Sequence, residues 1–203
     1  MTHAPGPGRP RQFELGDAAR NAMHVFWDRG YEGASLPDLI QGTGLSRGSL
    51  YKAFGDKKGL LLAALDIYCA HALKVTADTL SQSGTARQAI HESMLRHARS
   101  SSGEEGRRGC MLVAVANELV ALEPEVGQRI ARMLHRTQQL YASAIIRGQA
   151  AGEFGEGDEQ AMAHFLVCQI EGMRVLGKTG ASDADMIALV GRSMRLLDSQ
   201  SNI

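Results

Sequence analysis

The residues able to do chemistry concentrate in one short stretch of the chain. Between Leu39 and Gly55 there is no carboxylate, while Ser46, Arg47, Ser49, Tyr51 and Lys52 supply hydroxyl and cationic donors close together. A helix of that composition can approach phosphate without repulsion and can offer donors to base edges. A second, smaller concentration lies at Cys110, which follows Arg107, Arg108 and Gly109. A helix opening there would set the thiol beside two cations and the positive end of a macrodipole, both of which favour thiolate. Cys110 is therefore expected either to sense oxidants or electrophiles or to act as a packing residue. Cys69 and Cys168, flanked by apolar residues, are expected as small core hydrophobes. The three cysteines are too widely spaced for a disulfide framework or a metal site. No His-x-x-x-His or Glu-x-x-His pair and no phosphate loop occurs, so no metal, cofactor or catalytic residue is expected.

Two short helices hinged at a glycine would position the first group of donors. Ser35 can cap the first helix, with Pro37 in its first turn and Asp38 at capping-box spacing. Gly44 falls where the chain must turn sharply, and Ser46 can cap a second helix beginning at Arg47. This is a helix-turn-helix pattern, in which the N-terminal residues of the second helix meet the major groove, making Arg47, Ser49, Tyr51 and Lys52 candidate readers. Ahead of the pair, residues 17–29 carry an apolar stripe of Ala18, Ala22, Val25 and Phe26, and Gly30 is expected to end that helix. After it, Asp56 can cap a further helix whose first turn holds Lys57 and Lys58. Cations there oppose the helix dipole, so they either face a polyanion or are solvated surface lysines. Residues 1–12 are Pro- and Gly-rich and read as a flexible basic arm; Arg9 and Arg11 would enter a minor groove or be incidental.

From about Phe13 to Leu65 the chain resembles the N-terminal domain of TetR-family transcriptional regulators. The resemblance rests on Phe26-Trp-Asp-Arg-Gly-Tyr31, Ser35, the run from Gly44 to Tyr51, Phe54, and Lys57 followed by Leu60. It implies that Arg47, Gly48, Ser49, Tyr51 and Lys52 lie on the recognition helix and that Lys57 holds a phosphate. With the caps Ser35 and Ser46 and the arm residues Arg9 and Arg11, these form the expected DNA-binding set. Two departures stand out: Ile40 replaces a usual alanine, and Gly42 replaces a helix former, which would weaken the end of its helix by up to about 1 kcal/mol.

The rest of the chain reads as helical throughout, with no sustained period-two alternation. The expected fold is all-α, with about nine helices: a helix-turn-helix head over residues 13–58 and a ligand-binding and dimerisation body over 59–203. Helices are expected over 57–80, 86–99, 109–122, 124–150, 158–177 and 182–197, with 100–106 as a polar loop. The last two carry broad apolar faces, and the resemblance implies that they join a second copy in a four-helix interface through Phe165, Ile170, Met173, Met186, Val190, Met194 and Leu197. The other reading is that these faces close the monomer core. A two-fold dimer would call for a palindromic operator with half-sites about 34–36 Å apart. The resemblance also implies an effector pocket in the body, for which the adaptable Met94, Met111, Met133, Met162 and Met173, together with Cys110, are candidates.

The 203 residues are 44% hydrophobic and 22% charged with zero formal net charge, so DNA affinity must come from a local patch. No uninterrupted run of eighteen apolar residues occurs and the N-terminus lacks a signal-peptide core, so a cytoplasmic protein without a membrane partner is expected. The expected function is a DNA-binding regulator, a repressor by family, acting as a homodimer on operator DNA and released by a small-molecule or thiol-reactive inducer. The alternatives are a helical adaptor that binds a protein, or an all-α cysteine enzyme. Ordered catalytic residues for the latter are missing from the sequence.

Overall fold

The computed structural model describes residues 9–82 and 84–198, the side chains of 9–14 excepted. These residues form ten α-helices and no strand: α1 Arg9–Gly33, α2 Leu36–Thr43, α3 Arg47–Phe54, α4 Lys57–Leu80, α5 Ala86–Ser100, α6 Gly103–Arg108, α7 Met111–Leu119, α8 Pro124–Ala150, α9 Glu159–Lys178 and α10 Asp183–Asp198. They divide into two compact units, Met1–Cys69 and Ala70–Ile203, so the division falls inside α4 and later than the expected boundary at 58. Of the expected arm, residues 1–8 and the side chains of Arg9 and Arg11 lie outside the described residues. The backbone from Arg9 onward is already helical.

In the first unit α1 turns out longer than its apolar stripe suggests, and Gly30 interrupts it with φ 72° and ψ 177° before a last turn to Gly33. Its face of Ala18, Ala19, Ala22 and Phe26 is buried, as are Leu39 of α2, Leu50 of α3, and Leu60, Leu61, Ala64 and Leu65 of α4, and α1 packs on α2. Burial of each large apolar side chain contributes roughly 1.5–3 kcal/mol, which is what holds helices as short as α2 and α3 in place. Gly42 has a reason the sequence does not show: a Cβ there would lie 2.5 Å from Val25 Cγ2, so alanine would force Val25 or α2 to shift. α4 is long and apolar enough, by length and composition, to cross a membrane. Its residues Leu60 to Leu65 supply core of the first unit and Asp66 interrupts its apolar run.

In the second unit α5, α8, α9 and α10 share one hydrophobic core that includes Ile90, Met94, Tyr141, Ile145, Leu166 and Met186. Caps set the register of these helices. Thr85 and Gln88 form a reciprocal capping box at α5, and Asp158 accepts from the backbone of Gln160 and Ala161 at α9. Ser182 and Asp185 make the predicted box at α10, where the Ser182 hydroxyl donates to Asp185 Oδ2 at 2.7 Å. Two expectations are corrected. Of the stretch 100–106 read as a polar loop, residues 103–106 belong to the short helix α6, Gly103–Arg108, and the helix expected from Gly109 begins at Met111 and ends at Leu119. The polar, glycine-rich composition of α6 hides its role: Gly106 packs so tightly against the Ser101 backbone that a Cβ would lie 2.5 Å from it.

Candidate nucleic-acid interface

The turn between α2 and α3 is built from local hydrogen bonds. Asp38 N donates to Ser35 Oγ at 3.3 Å, and Asp38 Oδ2 accepts from Ser35 N at 3.0 Å and Ser35 Oγ at 2.6 Å. These Ser35 bonds hold the Asp38 carboxyl below its ordinary pKa, with Arg29 adding to the effect. Arg29 lies 3.1 Å from Asp38 Oδ1 and so ties α1 to the start of α2. Gly44 then takes φ 69° and donates to the Ile40 carbonyl, a left-handed cap that a residue with a Cβ resists. Ser46 Oγ accepts from Ser49 N at 3.2 Å and donates to Ser49 Oγ at 3.0 Å, fixing the first turn of α3.

With α3 so oriented, only Leu50 is fully buried; Ser46, Arg47, Gly48, Ser49, Tyr51 and Lys52 are all exposed. The structure thus brings the predicted readers onto one open face. The Arg47 guanidinium lies over the Tyr51 ring at 5.7 Å from its centroid, so the two present a joined cationic and aromatic surface. Ser35 and Ser46 act first as caps. Lys57 sits in the first turn of α4, which Asp56 caps through Gly59 N at 2.7 Å, and its ammonium rests 4.5 Å from the centroid of Tyr31. Tyr31 itself stacks on Phe26 at 6.0 Å. Tyr31 is the residue the sequence reading missed as a positioning group, because nothing in its neighbours reveals that α4 returns to it.

The face combines exposed donors with the absence of any carboxylate on α3, and Leu50 is buried behind it. Residues 20–64 match the family described as bacterial regulatory proteins, tetR family, and residues 84–187 match the tetracyclin repressor-like C-terminal domain. The HTH-type transcriptional repressor ComR of Escherichia coli K12 is 32% identical over 195 residues, 93% of this chain and 91% of its own. The chain belongs to the TetR family. Among solved structures, the TetR-family regulator CifR, a cysteine mutant complexed with 26-bp double-strand operator DNA, superposes with a TM-score of 0.78. It is 28% identical, covering 95% of this chain and 98% of that one. Escherichia coli NemR in its reduced form shares the fold alone, at 17% identity and a TM-score of 0.81, covering 93% and 100%. This TetR-family chain is a DNA-binding transcriptional regulator, as its relatives are, and not an enzyme.

The remaining candidate residues lie in the second unit. Met94, Met162 and Met173 are buried in its shared core; Met111 is buried at the start of α7 and Met133 is half-buried on α8. Cys110 precedes α7 as its N-cap residue and is only 2% exposed, with no cap bond from its side chain. Cys168, expected in the core, is exposed on α9, and Cys69 is half-buried. Of the proposed interface residues, Ile170, Met173, Met186, Val190, Met194 and Leu197 are all buried within this chain, and Phe165 is half-buried. Side chains so covered within this chain offer little surface to a partner. The faces of α9 and α10 left open carry Val175, Leu176 and Ile187 instead, each about half exposed.

Proposed function

We propose that this regulator represses transcription as a cytoplasmic homodimer on a palindromic operator and releases it when a small molecule enters the second unit. The observation that carries the reading is the outward face of α3, from Ser46 to Lys52, with Leu50 alone turned inward. One such face contacts one half-site, and affinity for a palindrome follows from two.

The dimer contact is assigned to the open face of α9 and α10. On α9, Cys168, Gly172, Val175 and Leu176 recur at helical spacing, and on α10 so do Ile187, Gly191 and Arg195. Gly172 and Gly191 sit inside helices with open space where a Cβ would be. Glycine costs a helix interior about 1 kcal/mol relative to alanine, a cost offset where another helix must come close. Repression is carried over from ComR, named as a repressor. Release by a small molecule is favoured over a thiol adduct, because the Cys110 side chain is buried. An effector that favours one geometry of α4, the helix both units share, by 1–3 kcal/mol would weaken DNA binding about 5–150-fold.

Sedimentation equilibrium of wild type and Gly172→Leu tests the dimer. Dimers for wild type and monomers for the variant are expected; a monomeric wild type at micromolar concentration contradicts the reading. Equal release of operator by wild type and Cys110→Ser under peroxide would agree with a structural cysteine, and release by wild type alone would restore the thiol route.

A further inference from the structure

Gly48 stands at the crest of the reading helix, and nothing inside the chain requires a glycine there. α3 turns Leu50 alone fully inward. At about 100° per residue, positions 48 and 52 lie roughly 160° around the helix from Leu50, so Gly48 and Lys52 mark its outermost line. Ser49 and Tyr51 flank that line. Any surface that α3 lies along meets the line first. Lys52 can fold its long side chain aside, whereas Gly48 brings the backbone itself to the contact.

The reasons that account for the neighbouring glycines are missing at this one. Gly44 and Gly55 have positive φ, 69° and 81°. A Cβ on Gly42 would lie 2.5 Å from Val25 Cγ2, and one on Gly59 would lie 1.9 Å from the Phe54 carbonyl oxygen. Gly48 has no positive φ, and a Cβ built on it meets nothing of this chain within 4 Å. Glycine disfavours a helix relative to alanine, and α3 has only eight residues, held at their start by Ser46. An offset to that cost has to come from outside the chain, from a group that occupies the space a Cβ would fill.

Major-groove chemistry narrows what that group is. Gly48 presents a bare methylene, and the thymine C5-methyl is the apolar projection among the base edges. Phosphate oxygens suit the donors of the flanking Arg47 and Ser49 instead. A methyl on the base against no methyl on the residue is a complementary pair, and alanine would force two methyls into the space of one.

We infer that Gly48 is a specificity-determining residue, which seats the C5-methyl of one thymine in each half-site against the α3 backbone. The assignment rests on α3 meeting the base edges of the operator, as proposed above.

Anisotropy titration of the full-length protein tests it, with an operator fragment recovered from genomic DNA by the protein itself and with copies in which each thymine in turn is replaced by deoxyuridine in both half-sites. At one position the loss of the methyl weakens wild-type binding about fourfold per half-site. Gly48→Ala binds the thymine operator about fivefold to about 150-fold more weakly than wild type does, while its melting temperature equals or exceeds that of wild type. On the fragment with deoxyuridine at that one position the order reverses: Gly48→Ala binds it more tightly than it binds the thymine operator, a rescue that a purely structural glycine would not give. Equal operator binding by Gly48→Ala and wild type, or a lowered melting temperature in the variant, would overturn the assignment. So would a weakening that deoxyuridine relieves at no position, which would set a phosphate or another base edge against Gly48. A wild type that retains no DNA fragment at all is a separate failure, removing base reading by α3 and this contact with it.

Discussion

The helix-turn-helix holds its polar donors at the surface and turns one side chain of α3, Leu50, inward, whereas a polar seam between α5 and α9 buries His97, Ser101 and Glu171 and leaves an atom of each without a hydrogen-bond partner. The difference follows from solvent. Arg47, Ser49 and Lys52 are hydrated until a phosphate or base edge replaces the water, so their exposure carries little penalty. The seam has no such reservoir, and every unmatched donor there weighs on the stability of the unit that contains it. Substitutions on α3 should therefore alter DNA binding with little change in stability, and changes in the seam should do the reverse.

Acid should break the second unit first. Folded His97 stays neutral down to about pH 3, whereas the ordinary value is 6.5, so between these pH values the unfolded chain holds one more proton and stability falls as the pH falls. The expected slope from this group is about 1.4 kcal/mol per pH unit. Urea unfolding at a series of pH values reads it, and a His97→Gln variant that keeps the same slope would assign the acid loss elsewhere. On the other side of the comparison, Leu50→Ala should destabilise the first unit by about 2–5 kcal/mol. Hydrogen exchange followed by unit should show protection lost in α1 to α3 and retained in α8 and α9.

Gly42→Ala separates two physical arguments by sign. Helix propensity alone makes it stabilising by about 1 kcal/mol. The 2.5 Å approach of a Cβ to Val25 makes it destabilising, by about 1–3 kcal/mol. A raised melting temperature would show that α2 shifts away freely. Smaller still in stability, but sharp in recognition, Arg47→Ala should relax preference at one base position by about 1–3 kcal/mol, while Lys57→Ala weakens all sites alike. Equal losses on every sequence from both would make Arg47 a backbone contact.

What the sequence disclosed divides along the same physical line. Ser35 with Asp38, Ser46, and Ser182 with Asp185 are interactions within one helical turn, so spacing alone announces them. Gly42 read as a weakness because its cause, Val25, belongs to another helix. The apolar pattern of α9 and α10 identified faces without saying against what they pack, so a dimer interface and the monomer core were both open readings; in this chain those residues are buried in its own core. Cys168 carried the same ambiguity, since apolar neighbours in sequence do not fix which side of a helix a residue occupies. The unpartnered atoms of His97 and Glu171 depend on two helices meeting and leave no local trace.

The most direct test is anisotropy titration of an operator fragment, recovered from genomic DNA by the protein itself, with wild type and an Arg47→Ala, Lys52→Ala variant over a range of salt. Wild type should bind tightly with affinity falling linearly in log salt, and the variant, unchanged in melting temperature, should no longer distinguish operator from unrelated DNA. Wild-type affinity and salt dependence in the variant would contradict recognition through α3.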